Sequence, residues 1–378
     1  MNRVLYGLGL GLMLGVGRLS AAEAPRWGGY LESRLFLLDG PYTHPQTALW
    51  NRLMLELRGD VNPKSQVVIL MRGSQLSGFM TRAVMVNDTN GYVQSAIPAE
   101  QLLLDRMYIE TEWNRWRIRA GKQLISWSFG YLFTPLDIYN PTYMLEPGFE
   151  VPGIAAWRSL VRLSRLSNWE LICIPDGSYT QSKMTTRLIT NIRGTDIALN
   201  WLHNGVTDLA GLAVKGELGI GYWVESAWYY RSANHRLEGC MVTTMGLDYT
   251  FAIGNGCYWM LEYFHDQTGF PAAEYATSRY TAMTEGRAFM GRNYAAVLSS
   301  YPLSNRVSLS GAVVLNLDDQ ASVWVPQIEY RAGVNLSCRF GAYLNPSAIG
   351  SEFAPSLPAE LRRYQQTSQV FCWIRSDF

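Results

Sequence analysis

Apolar residues in this chain recur at every second position, segment after segment, and that spacing limits what it can fold into. In residues 49–58, Leu49, Leu53, Leu55 and Leu57 share one face, while Arg52, Glu56 and Arg58 share the other. Leu103, Met107 and Ile109 oppose Arg106, Tyr108, Glu110 and Glu112. Trp116, Ile118 and Ala120 oppose Arg117 and Arg119. Leu218, Ile220, Tyr222, Val224 and Trp228 oppose Gly221, Trp223 and Glu225. A period of two is that of a strand with unlike faces. The clearest unit is 240–266, where Met241, Met245, Leu247, Tyr249 and Phe251 lead to Asn255-Gly256 and then Trp259, Leu261 and Tyr263. Asn-Gly predicts a type I′ hairpin turn, which needs positive φ at both central residues. Further strands are expected near 305–317, 322–332 and 334–345, with turns at Asp318-Asp319 and Ala332-Gly333. Segment 184–216 is ambiguous, and no sustained helical period follows the first 22 residues.

Strands of about ten residues with one apolar and one polar face carry the signature of a transmembrane β-barrel. A bilayer tolerates neither open sheet edges nor unpaired amides, so such a chain must close on itself. Soluble sandwiches also alternate, but their strands are shorter and their sequences more charged. Here 17% of residues are charged, against about 25% in ordinary domains. Trp27, Tyr30, Trp113, Trp116, Trp169, Tyr229, Tyr230, Tyr258 and Tyr301 fall at expected strand ends, where interfacial girdles place aromatic rings. Short links at 62–64, 113–115, 254–256 and 302–305 alternate with long ones near 75–100, 127–153, 267–287 and 346–366. The fold class expected is all-β, a closed antiparallel barrel of about 16 to 18 strands. The balance of 32 basic and 31 acidic residues argues against a nucleic-acid binder. No apolar run reaches the length of a membrane-spanning helix.

The chain opens with Arg3, an apolar stretch from Val4 to Val16 and the small residues Ser20-Ala21-Ala22. This is the pattern of a secretory signal cleaved after Ala22, so 1–22 is expected to be the signal and 23–378 the barrel. Export permits disulfides. Of the five cysteines, Cys338 and Cys372 are the only plausible bridge, and isolated thiols are the favoured alternative.

The chain ends SQVFCWIRSDF, with Val370, Cys372, Ile374 and Phe378 on one face. This end resembles the assembly signal of Gram-negative outer-membrane barrels. The resemblance implies periplasmic chaperones and the barrel-assembly machinery as partners, with outer-membrane lipid around the barrel. Residues 121–127 with LFTPLDIYNP (132–141), GLDYTF with MLEYFHD (246–266), and Asn316-Leu317-Asp318-Asp319 with Ser351-Glu352-Phe353 are loosely similar to a group of porin-like barrels that includes alginate-export relatives. Ser128 after Trp127, and Gln320-Ala321-Ser322, depart from that pattern. The resemblance implies a channel but no particular substrate.

Few residues suggest reaction chemistry. His44, His203, His235 and His265 fall in or near expected loops, and His265-Asp266 is the only adjacent pair. Strand neighbours point to opposite faces, so adjacency makes no dyad. Asp318-Asp319 reads as a turn. No catalytic residue, metal site or cofactor is expected, and the chain is read as a non-enzyme. The polar faces carry two charge sets instead. Arg52, Arg58, Arg106, Arg117, Arg119, Arg158 and Arg162 are expected to form a basic lumen wall; Glu225, Asp248, Glu262, Asp318 and Glu329 are expected to form an acidic one. The alternative is scattered charges paired with their neighbours. Segment 127–153 is rich in aromatic residues and proline; it is expected to fold inward as a constriction loop carrying Trp127, Phe133, Asp137 and Tyr139. A loop packed over the outer rim is the alternative. The function expected is passive diffusion of small solutes. Specific uptake or export of an organic solute or polysaccharide is the first alternative, and an outer-membrane enzyme or non-conducting barrel the second.

Overall fold

A computed structural model describes residues 24–40, 43–79, 82–86, 92–96, 98–140, 151–176, 178–203, 207–233, 236–284, 287–354 and 368–378. The expected signal segment, His235, and Tyr143 and Phe149 of the expected constriction loop lie outside these residues.

Three long strands open the described chain: β1 (Arg26–Gly40), β2 (Thr43–Asn62) and β3 (Ser65–Gly78). A small separate hairpin follows, β4 (Arg82–Val86) with β5 (Tyr92–Ala96). The main sheet resumes with β6 (Glu100–Trp113), β7 (Trp116–Gln123), β8 (Ile154–Arg162), β9 (Ser167–Asp176) and β10 (Ser178–Ile192). It continues through β11 (Thr195–His203), β12 (Thr207–Glu217), β13 (Gly221–Ala233), β14 (Arg236–Phe251) and β15 (Cys257–Asp266). The last strands are β16 (Asn293–Pro302), β17 (Val307–Asn316), β18 (Ser322–Arg331), β19 (Leu336–Leu344) and β20 (Ser368–Asp377). Each strand of the main sheet pairs antiparallel with its sequence neighbour, giving one 18-stranded sheet. Arg34 of β1 stands opposite Trp373 of β20, so the first strand bonds the last and the cylinder closes. The Gly29 and Phe378 amides each donate to the other's carbonyl at 3.0 Å and fasten the seam at the chain's final residue.

The alternation in the sequence becomes the two faces of the cylinder. Leu31, Leu35 and Leu37 of β1 are exposed, while Tyr30, Glu32, Arg34, Phe36 and Leu38 between them are buried. The same holds around the ring for Met245, Leu247, Tyr249 and Phe251 against Thr244, and for Trp259 and Leu261 against Met260 and Glu262. An outer surface this rich in exposed leucine and tryptophan is the surface of a barrel that stands in lipid. Val370, Ile374 and Phe378 lie on that outer face, roughly half exposed.

Several expectations change in detail. Tyr30 is buried, Tyr229 reaches an inward loop through its hydroxyl, and Tyr258 lies on the inward face with Met260 and bonds Asp248, so these three rings belong to the interior and not to a girdle. Positive φ falls on Gly254 and Gly256, so Asn255-Gly256 is not a type I′ pair; the chain turns over a longer 252–256 connection. Arg193-Gly194 has positive φ at both residues and joins β10 to β11, which resolves the ambiguous segment. Arginine is an uncommon choice there, so the turn carries no residue signal. At Asp105 a register shift between β3 and β6 turns that carboxylate inward and reverses the alternation above it. Among the described residues there is one α-helix, α1 (Tyr275–Thr284), in the connection from β15 to β16. It buries only Tyr275 and Ala282 on its described faces, too sparse a stripe to show as a period. All five cysteines are free, and Cys372 stands opposite Phe340, not Cys338.

Candidate functional site

The described first part of the connection between β7 and β8, residues 124–140, lies inside the barrel. Residues 124–140 run along its inner wall from β8 toward β17, and each side chain reports where. Ile125 and Trp127 pack on Ala156, Ile172 and Ile174. Leu136 packs on Ala198, Leu202, Leu209, Ala213 and Ala227. Phe133 joins Val242, Phe264, Tyr294, Ala296 and Val314 and stacks on the Phe264 ring at 4.9 Å. The wall beneath is built from small residues, which makes room for a second layer. A Cβ on Gly211 would come within 2.5 Å of Leu136 Cδ2.

A buried loop without strand partners must satisfy its amides elsewhere. Here three carboxylates receive seven consecutive backbone N–H groups. Asp137 accepts from the Trp127 amide, from the Ser128 amide at 2.9 Å and from Ser126 Oγ at 2.8 Å. Glu225 accepts from the Phe129 amide, from the Gly130 amide at 2.9 Å and from Ser128 Oγ at 2.6 Å. Glu262 takes the amides of Tyr131 (2.7 Å), Leu132 (2.8 Å) and Phe133 (3.1 Å), together with Trp223 Nε1 at 2.8 Å. Such charge-assisted bonds are worth about 1.5–3 kcal/mol each. Gly130 allows the tight path between Glu225 and Glu262, since a Cβ there would meet the Phe133 carbonyl at 2.1 Å. Arg187 offsets the negative charge, its guanidinium over the Phe129 ring at 5.3 Å and the Trp127 ring at 5.9 Å. Tyr139 Oη bonds Thr185 Oγ1 at 2.5 Å, and burial pushes its phenol up to about 12. Burial likewise pushes the Asp137 carboxyl above its ordinary value, against the hydrogen bonds it accepts.

The four residues expected on a constriction loop, Trp127, Phe133, Asp137 and Tyr139, therefore lie on one inward segment, and they face the wall. The bore side of that segment carries Ser126, Tyr131 and Ile138, which are exposed. Lys215 of β12 reaches it, its Nζ 3.1 Å from Tyr131 Oη and 4.7 Å from the ring centroid. Lys215 was missed because β12 lies in the ambiguous segment.

The two expected charge walls resolve differently. Glu225 and Glu262 do face inward, but the loop covers both completely. Asp248 accepts from Tyr258 Oη at 2.9 Å. Asp318 sits in the turn after β17 and binds the Arg292 and Asn293 amides. Glu329 pairs with Arg339 at 2.8 Å and Arg331 at 3.1 Å. Among the arginines, Arg52 pairs with Glu32 at 3.3 Å, Arg106 with Asp105 at 3.8 Å and Arg119 with Glu110 at 2.5 Å. Arg58 pairs with Glu56, Arg117 with Glu112 and Arg158 with Glu170. Arg162 is exposed at the end of β8. The charges are thus largely matched locally, because cross-strand neighbours on an inward face are close enough to pair.

Opposite the loop, across the closing seam, Arg339, Trp373, Arg34 and Trp50 form a row on four adjacent strands. Arg34 lies between the two indoles, 3.9 Å from the Trp373 ring and 4.9 Å from Trp50, and Arg339 is 5.2 Å from Trp373. Glu32 holds both Arg34 (2.5 Å) and Arg52 (3.3 Å).

His265 Nδ1 contacts Asn293 Oδ1 at 2.9 Å, whereas Asp266 binds Thr268 and Arg287. These two neighbours thus engage different partners.

An 18-stranded closed cylinder with an apolar outside, and a loop folded against its inside wall, decides the architecture. Its fold is that of a porin-like barrel. It superposes on Pseudomonas aeruginosa OpdK, solved with vanillate, with a TM-score of 0.61 at 10% identity, covering 94% of this chain and 99% of that one. Acinetobacter baumannii OccAB1 gives 0.59 at 10% identity over 96% and 99%. Pseudomonas aeruginosa OccK11 gives 0.57 at 12% identity over 94% and 96%. No family model matches this porin-like barrel, and no curated protein matches it by sequence.

Proposed function

We propose that the protein is an outer-membrane channel through which small solutes diffuse, with a bore set by residues 124–140. The observation that carries this is the run of seven loop amides held by Asp137, Glu225 and Glu262 on the inside of a closed barrel. A loop that served only as an outer cap would need no such anchors so far along the wall. No cofactor enters this reading. Delivery of an unfolded precursor by periplasmic chaperones to the barrel-assembly machinery fits the outward Val370, Cys372, Ile374 and Phe378 at the closing strand.

One observation favours a second reading, selectivity for an anionic solute. Among the described residues Lys215 has no carboxylate within 4.0 Å, and it stands beside the bore-facing Tyr131. A cation next to an aromatic ring in a confined lumen attracts anions and raises their local concentration. Planar-bilayer recording of the purified barrel tests both readings. Steady conductance supports the channel, and a chloride preference lost in Lys215→Gln supports the selectivity. A folded, inserted barrel without conductance overturns the channel reading.

A further inference from the structure

The short-turn rim of the barrel carries an arc of charge on one side. Four consecutive periplasmic turns, β2–β3, β6–β7, β8–β9 and β10–β11, each hold one exposed cation: Lys64, Arg115, Arg165 and Arg193. Among the described residues none of the four has a carboxylate within 4.0 Å. The acids nearest them along the chain are already engaged: Asp60 by Arg26, Glu112 by Arg117, and Asp196 by the Asn191 carboxamide at 2.8 Å. Successive turns are two strands apart, about 10 Å, so the four cations span roughly 30 Å of rim. The next two turns around the ring, 218–220 and 252–256, hold no charged residue. Further on, rim cations stand in pairs with acids, as Arg331 with Glu329 and Arg375 with Asp377.

Arg193 is the most telling of the four. Its φ of 53° is a left-handed conformation that glycine or asparagine adopts at less cost, so the turn itself does not call for an arginine. The cations also sit in an apolar collar. Trp113 and Trp116 flank Arg115, Leu163 and Leu166 flank Arg165, and Ile192 precedes Arg193, all of them exposed. Indoles and aliphatic chains with a cation just beyond them match the boundary between acyl chains and headgroups. A partner lying wholly in the periplasm would leave that collar uncovered, whereas a lipid covers collar and cation together.

We propose that this arc binds anionic phospholipid of the periplasmic leaflet, with headgroup phosphates against Lys64, Arg115, Arg165 and Arg193. A guanidinium meets a phosphate with two parallel N–H bonds, and unpaired cations at a membrane surface favour anionic over zwitterionic headgroups. The bare turns at 218–220 and 252–256 give their side of the rim no such preference, so the bound lipid is concentrated on one side of the barrel. The inference rests on the barrel standing in lipid, and it holds whether or not the bore conducts.

The test is native mass spectrometry of the purified full chain offered equal amounts of phosphatidylglycerol and phosphatidylethanolamine. Wild type should retain phosphatidylglycerol in preference. The triple variant Arg115→Gln, Arg165→Gln, Arg193→Gln should lose that preference, by about five-fold for each cation removed. Arg306→Gln, at the separate β16–β17 turn, should leave it unchanged. Equal retention of the two lipids by wild type overturns the proposal. So does a preference that survives the triple variant, or one that falls as far in Arg306→Gln. Loss of bound phosphatidylglycerol to an equal concentration of inorganic phosphate would show a free-phosphate site instead, and would also overturn it. Heat-modifiable mobility and bilayer conductance, measured on the same samples, report separately whether the barrel is folded and conducting.

Discussion

The two inner walls of the barrel use charge in opposite ways. Beneath the loop, Glu225 and Glu262 are surrounded by small wall residues and spend their oxygens on a backbone that is not part of the sheet. At the seam, Glu32 spends its oxygens on Arg34 and Arg52, and the arginines fill the interior themselves, stacked on Trp50 and Trp373. One wall covers its carboxylates with a loop; the other packs its arginines among its own indoles. Inward charge in a barrel is therefore no measure of the charge a passing solute meets.

The sharpest way to break this comparison is Glu262→Ala. It strands three loop amides and an indole N–H in a buried place, at a cost on the order of 3–5 kcal/mol. Loop detachment should follow, with larger, noisier single-channel conductance and new protease cleavage within 127–133. Next comes Arg34→Leu, which removes the stacked cation between the two indoles. About 2 kcal/mol of barrel stability should be lost, read as a lower temperature for the heat-modifiable gel shift, with conductance unchanged. If Arg34→Leu widened the bore as much as Glu262→Ala, the division of labour between the walls would be gone.

Gly211→Val sharpens the contrast without touching a charge. Its side chain would press on Leu136 and cost roughly 1–3 kcal/mol by overpacking. The expected readout is a modest rise in conductance, smaller than that of Glu262→Ala. The smallest effect belongs to Tyr139→Phe, which removes one hydrogen bond of about 1 kcal/mol. Burial holds the Tyr139 phenol neutral, so its pKa in the folded state lies above its unfolded value. The contribution is therefore fully present below pH 10 and is lost as pH rises through about 12. An ultraviolet difference titration of wild type against the variant should show one phenol ionising near 12; an ordinary value there would place Tyr139 in open water.

Much of this molecule is legible before any coordinates. Alternation such as Met245, Leu247, Tyr249 and Phe251 against Thr244 names the lipid face outright, because side-chain direction in a strand depends on nothing but parity. That parity is local, so it fails where the backbone is locally irregular, as at Asp105, where a register shift sends a carboxylate inward. The turn at Arg193-Gly194 was hidden for a related reason: its conformation is imposed by the strands it joins, not by residue preference. Segment 127–153 stands out as too apolar for solvent, and its described residues 127–140 do lie inside the barrel. Its anchors have no such mark in the sequence.

What the sequence determined by itself is a closed, lipid-facing sheet and the face on which each strand residue lies. Only the tertiary structure decided the fate of the inward charges, because that depends on which groups 95–131 residues apart in the chain come within 3 Å. Glu225 and Glu262 read as lumen charges until the loop lies over them. The reason is physical: strand pairing is fixed by neighbours along the chain, whereas a carboxylate's partner is whatever donor closure of the barrel carries to it.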